Sequence, residues 1–485
     1  MTATSTTSVR SSSSIPLLAV LMTSMLATVI AADMVNLVLP SMGEQFGASE
    51  AQLAWVVTGY LLVFSIGIPF YGRISDRVSL RRLFCSALLI YAAGSLVCAL
   101  APDLPVLVIG RIVMGGGAAA LPVLSIIAVT RLMPESKRGM GIGVVSAASG
   151  IGTAAGPAIG GGIGQWLGWP ALFWLMFLLA LVLLPAAWRM LPGDTPAGAN
   201  RFDIIGGVLL GVGAGLALFG MTQAQAAGIG APTTWGSLLV AVVALGLFAR
   251  RTVKVAHPFV PPALFANRTY RSAVVVAFLA MVVNLGGLVF VPLLVIDVND
   301  LDPGQGALVM IPAGIAVAAF SPLIGRFTDR IGTGALALTG LAVMGLSALF
   351  LSISAGSTSV VPAGAGALGL CVGFVLVITP LINASAGVLP PDQVGVGLGI
   401  LQGAQFLGAG AGPALFGVLL TARQHSDSAA INPLHFSDQG AAFSDTFLAM
   451  VLIIIPATIV AYRMHSATTR SRETTTPSQH TAQQL

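Results

Sequence analysis

The chain has 485 residues, of which 56% are hydrophobic and only 8% charged, and its mean hydropathy is +0.94. Such a composition lies outside that of soluble domains and predicts a polytopic membrane protein. The formal charge of +5 does not point to nucleic acid, because the basic residues are spread over short segments between apolar runs; Cys85, Cys98 and Cys371 lie inside such runs, with no spacing that suggests a disulfide framework or a metal site.

Apolar runs long enough to cross about 30 Å of hydrocarbon as a helix are predicted at 15–41, 51–71, 83–101, 104–130, 139–166, 169–190, 204–222, 235–249, 272–297, 306–325, 334–353, 359–384, 395–421 and 444–464, fourteen in all, the eighth being the shortest. The tail at 1–14 carries one charge, Arg10, and the first run is too long for the core of a cleaved signal peptide, so it reads as a retained helix. With both ends of the chain in the cytoplasm, 20 of the 22 Lys and Arg fall on the cytoplasmic side; the exceptions are Arg111, inside the fourth run, and Arg423, outside. The opposite loops carry acids instead: Glu44, Glu50, Asp103, Asp300, Asp302, Asp427 and Asp438. Removing any one run would send the basic loops after it to the wrong side.

Two motifs repeat. The stretch "YGRISDRVSL" from Tyr71 is echoed by "IGRFTDRIGT" from Ile324, so Gly-Arg-x-x-Asp-Arg occurs twice, 253 residues apart, in the loops expected after the second and tenth runs. "GTAAGPAIGG" from Gly152 is echoed by "GAGAGPALFG" from Gly408, an offset of 256. Two motifs with nearly one offset predict a duplicated, all-α membrane fold with six-helix bundles at 15–190 and 272–464. Two inserted helices at 204–249, a cytoplasmic linker at 250–271 and a polar tail at 465–485, expected to lack structure, complete the organisation. Gly152, Gly156 and Gly160 recur every fourth residue, which places them on one helix face that a neighbour can approach closely, and Pro157 removes a backbone donor beside them.

From "DMVNLVLP" through "WVVTGYLLVFSIG", "GRISDRVSLRR", "GRIVMGGGAAALP", "GPAIGG" and "RFDIIGG" to "HPFVPPALF", the chain resembles the major facilitator superfamily, specifically its fourteen-helix drug:proton antiporter branch, and most of all the tetracycline-type and multidrug exporters. The resemblance implies that Gly72, Asp76, Arg77 and Arg81, with Gly325, Asp329 and Arg330 in the second half, form loops that brace one side of an alternating-access cycle. Asp76 would accept from helix N-terminal amides or pair with an arginine. Ser79 and Leu80 depart from the family pattern in the first copy, whereas Gly332 keeps the family glycine in the second. Gly152, Gly156, Pro157, Gly160 and Gly161 match the antiporter motif, which implies a seal between the halves.

Charges within hydrocarbon are costly, at least ~2.5 kcal/mol each, and mark function. Asp33 and Arg111 are the two clear cases; counted from the outer ends of their runs they share a depth, and their opposite signs suggest a proton-coupling pair. Arg111 matches the family's membrane arginine, with Met114 in place of the usual glutamine. The family's first-helix aspartate would fall at Ala31, two residues before Asp33, which turns the side chain by about 200° in a regular helix. Softer cavity candidates are Asn36, Tyr60, Phe64, Asn284, Asn383, Gln402 and Gln405, for each of which helix-to-helix hydrogen bonding or core packing is the alternative; Asp297 reads as interfacial. The sequence holds no phosphate loop, zinc spacing or nucleophile arrangement. The expected activity is therefore proton-coupled export of amphipathic antibiotics or other toxic small molecules by a monomer in the cell membrane, without cofactor or nucleic acid. Export of lipid or a hydrophobic metabolite is the alternative, and a non-transporting sensor a more distant third.

Overall fold

The computed structural model describes residues 14–35, 38–193, 203–226, 228, 230–301, 306, 308–424, 430–435, 437 and 439–473. The described residues are helical with no strand. The first half runs through α1 (Ser14–Asp33), the short α2 (Leu39–Phe46), α3 (Glu50–Ile74), α4 (Leu80–Ala99), α5 (Leu104–Ala118), α6 (Ala120–Leu132), α7 (Glu135–Leu167) and α8 (Trp169–Met190). The insertion is α9 (Ile204–Ala226) and α10 (Pro232–Lys254), followed by the one-turn α11 (Ala263–Ala266). The second half comprises α12 (Arg268–Asn299), α13 (Ile311–Ile331), α14 (Thr333–Ser354), α15 (Val361–Val388), α16 (Val394–Gln424) and α17 (Ala441–Glu473).

Among the described residues thirteen spans are long and apolar enough to cross a membrane, with α5 and α6 counted as one. The fifth expected run is the glycine-rich α7, a continuous helix of 33 residues lodged between α1 and α13. The α5–α6 span is the most enclosed, every residue from Ala120 to Val129 being buried, whereas α8 and α10 present Leu178, Val182, Leu239 and Val242 outward as a lipid-facing skin.

Several expectations need correction. The first run is not one helix: α1 stops at Asp33, and Pro40 opens α2 instead of continuing α1, since its ring has no N–H to give to the preceding turn. The eighth run is not short, because α10 has 23 residues. The second Gly-Arg-x-x-Asp-Arg copy is not in a loop but in the last turns of α13, which no breaker interrupts until Gly332, at φ 89°. The first copy straddles the end of α3, where the Ser75 hydroxyl donates to the Gly72 carbonyl at 2.7 Å and the chain leaves the helix. Ser79, where the family has glycine, caps α4 by accepting from the Arg82 amide. Finally, α17 continues to Glu473, past the expected end at 464, because "HSATTRSRE" contains neither glycine nor proline.

Candidate functional site

The two halves meet through glycines at their arginine-rich ends, in two related ways. A side chain at Gly72 on α3 would strike the Gly395 carbonyl and Gly399 on α16, and one at Gly325 on α13 would strike the backbone of Gly139 and Met140 on α7. The pairs are counterparts: 72 and 325 differ by 253, 139 and 395 by 256. The same fit continues inward, with Gly403 against Pro69 on one side and Gly143 and Gly150 against Ser321 and Val317 on the other. Backbone-to-backbone contact of this kind leaves no room for a side chain and closes that end of the molecule.

The α3–α16 contact also holds a charged clamp. The Gly395 and Val396 amides, in the first turn of α16, each donate to the Asp76 carboxylate at 2.9 Å, and Arg131 of α6 donates to it at 2.7 Å while also reaching the Ser75 carbonyl at 2.8 Å. Unsatisfied amides and the positive end of the helix dipole make an N-terminus a natural seat for an anion. Burial, outweighing the two amides, Arg131 and Arg73, pushes the Asp76 carboxyl up to about 6. Arg81 donates to the Leu191 carbonyl at 2.7 Å and lies over the Trp188 ring, tying α4 to the end of α8. Arg330 is exposed; the side-chain surroundings of Asp329 lie outside the described residues, as do those of Pro157 and Gly161 on α7. Sequence reasoning missed Arg131 and the amide partners. The signal for the latter was present, since "GMGIG" from Gly139 and "GVGLG" from Gly395 form a third repeat at the same offset, whereas Arg131 has glycine, Gly387, at the corresponding place.

Deeper in the first half, Arg111 is fully buried. Its Nε donates to the Val56 carbonyl and one Nη to the Ala31 carbonyl, both at 3.0 Å, and the guanidinium lies 4.2 Å above the Tyr60 ring. Ala31 is where α1 stops delivering its own bonds: the Met34 amide still donates to Ile30, while the next carbonyl is taken by arginine. Tyr60 and Tyr91 donate to the neighbouring carbonyls of Thr28 and Ala27. The end of α1 is thus held by three side chains, with a cation at its negative pole. The structure does not bring Asp33 and Arg111 into an ion pair; among the described residues Asp33 has no such partner. Asp33 is half-buried at the last position of α1, against α7, where a side chain at Gly156 would meet its Cβ at 2.9 Å. Gly152 and Gly160 likewise receive Val29 and Met34, so the glycine stripe seats α1.

Of the softer candidates, Tyr60 and Phe64 are buried and stacked 5.8 Å apart, and Phe64 meets Phe406 of α16 edge-on at 4.7 Å, joining the halves. Asn284, Gln402 and Gln405 are buried in α12 and α16, with Asn284 Oδ1 and Gln405 Nε2 left without partners, and Asn383 is half-buried in α15. Asn36 lies outside the described residues, and Asp297 is exposed near the end of α12. Arg423, the basic residue expected on the outer side, is neutralised by Asp445 at 2.6 Å.

A family model described as Major Facilitator Superfamily matches residues 21–413. The chain belongs to the Major Facilitator Superfamily. Among superfamily members, the Multidrug resistance protein B homolog of Mycobacterium tuberculosis is 30% identical over 420 residues, which covers 83% of this chain and 77% of that protein. The Tetracenomycin C resistance and export protein of Streptomyces glaucescens is 30% identical, covering 79% and 72%, and the Lincomycin resistance protein LmrB of Listeria monocytogenes 27% identical, covering 80% and 83%. The solved structure of the human organic anion transporter MFSD10 (TETRAN) superposes with a TM-score of 0.64 over 91% of this chain and 99% of that one, at 17% identity, and shows the shared superfamily fold.

Proposed function

We propose that this protein is a proton-coupled antiporter that exports amphipathic antibiotics or other toxic small molecules across the cell membrane, with both ends of the chain in the cytoplasm. The observation that carries the reading is the union of a two-fold glycine gate with a half-buried acid: the halves close on each other at the arginine-rich end, while Asp33, with no ion-pair partner among the described residues, sits against Gly156 of a helix that forms part of that gate. By the positive-inside rule the closed end is cytoplasmic. A carboxylate with no fixed counter-charge exchanges its proton as its surroundings change, which is the property a coupling residue needs. Buried amides with unmet hydrogen bonds, Asn284 and Gln405, offer contacts to a cargo that is otherwise held by apolar surface. The resistance and export named for the relatives agree with this reading.

The test is a resistance panel in a host stripped of its own pumps, with and without a protonophore. Resistance that the protonophore abolishes is expected; resistance that persists in its presence contradicts proton coupling.

A further inference from the structure

The inserted pair is packed against one side of the molecule only. Gly207, Gly211 and Gly215 of α9 lie against Phe70, Ile66 and Leu62 of α3, and Leu218 of α9 rests on Gly410 of α16, so α9 lies over the seam where the two halves join. It is held to both halves: beside the contact of Leu218 with Gly410, Trp55 of α3 stacks on Phe219 at 5.6 Å, and Phe70 of α3 meets Phe259 of the linker at 5.0 Å. Asp203 takes both oxygens to Arg251 at 2.8 Å, locking the start of α9 to the end of α10.

The duplication supplies an internal control. At the offset of 253 that relates Gly72 to Gly325, Leu62, Ile66 and Phe70 become Ile315, Ala319 and Leu323 on α13. This is the same face of the counterpart helix, beside the α7–α13 seam, and all three residues are exposed, Ile315 at 62% and Leu323 at 42%. Behind them the seam consists of the small contacts Gly143 to Ser321 and Gly150 to Val317, and on the far side of α7 lies Asp33. One seam is covered by a helix and its counterpart faces lipid across the thickness of α7 alone.

We propose that hydrophobic cargo passes between the lipid and the cavity through the α7–α13 seam, and that α9 and α10 close the equivalent α3–α16 seam, making lateral access one-sided. This rests on the exporter reading above. Apolar solutes concentrate in the bilayer, and separating two helices joined by glycine contacts exposes little polar surface on the way in.

The experiment uses the full chain with Cys85, Cys98 and Cys371 replaced by alanine, reconstituted in liposomes with a lipophilic monocationic dye. Ile315→Cys and Leu323→Cys are each labelled with a bulky or a small thiol reagent; Val242→Cys, on the outward face of α10, is the control. The bulky label at 315 or 323 should raise the apparent KM for the dye several-fold with the maximal rate kept, while the small label, and either label at 242, changes nothing. An unchanged KM with the bulky label at both positions overturns the proposal, as does a fall in maximal rate alone, which would indicate a jammed helix pair. Unlabelled variants that fail to export the dye overturn the exporter reading, and this inference with it.

Discussion

Arg111 shows how a buried charge serves shape as well as chemistry. Replacing it by alanine leaves the Ala31 carbonyl without its donor, at a cost of about 1–3 kcal/mol, removes from the Val56 carbonyl a bond additional to the helical one of α3, and takes away the cation that ends α1. Arg111→Ala should therefore lower the thermal midpoint by several degrees and abolish transport, whereas Asp33→Asn, which disturbs no ion pair, should keep the midpoint and lose coupling; nanoscale fluorimetry alongside transport separates the two. The seat of Asp33 gives a second expectation. Gly156→Leu drives a side chain into Asp33, with overpacking of about 1–3 kcal/mol, and should impair coupling. Gly162→Leu, with nothing within 4 Å, should be tolerated when the same assay is run on both. Both charges were legible as hydrocarbon-embedded, but their relation was not. Equal depth suggested a pair, because a regular helix was assumed through residue 41; the stop at Asp33 sends arginine to a carbonyl instead, and a hydropathy run does not register a backbone break.

At the level of helices, the Asp76 clamp joins a turn of the first half to the N-terminus of α16 and is expected to respond to pH. Closed, the carboxyl titrates at about 6; in an open, hydrated gate it returns toward 3.8. The closed state therefore holds the proton more tightly, so its advantage is fully present below 3.8 and is lost as pH rises through about 6. Spin labels at Lys137→Cys and Pro391→Cys across the gate should show the short-distance population shrinking over that window, and Asp76→Asn should flatten the response. A wild-type profile that is flat or opposite in slope would remove Asp76 from gating. The duplicated motif was readable from spacing alone, and so was the reciprocity of Gly139 and Gly395 once aligned at the same offset. That the second copy is helical was not, because its end is set by a glycine at positive φ, Gly332, beyond the end of the hydropathic run at 325. Nor was the single-sided arginine, which breaks the repeat.

Across the whole molecule, charge counting bears on the choice of cargo. Among the described residues the buried acids Asp76, Asp203 and Asp445 are each committed to an arginine, leaving Asp33 as the acid free to face a solute. One carboxylate compensates at most one positive charge in a low-dielectric site. Resistance to neutral and monocationic hydrophobic antibiotics should therefore exceed resistance to a dicationic biocide or a metal-bound tetracycline in one host, and strong dication resistance that survives Asp33→Asn would overturn the argument. Thirteen of the fourteen expected spans and their order were legible from hydropathy, but the place of the inserted pair was not, because glycines spaced by four mark a packing face without naming its partner. Proton coupling through Asp33 is the claim on which the rest depends, and it is tested most directly in inverted vesicles carrying an imposed pH gradient. Adding a transported antibiotic should release protons from the wild-type vesicles and release none with Asp33→Asn. Drug-driven proton release at the wild-type rate in Asp33→Asn vesicles, or uphill transport by the wild type with the gradient collapsed, would contradict it.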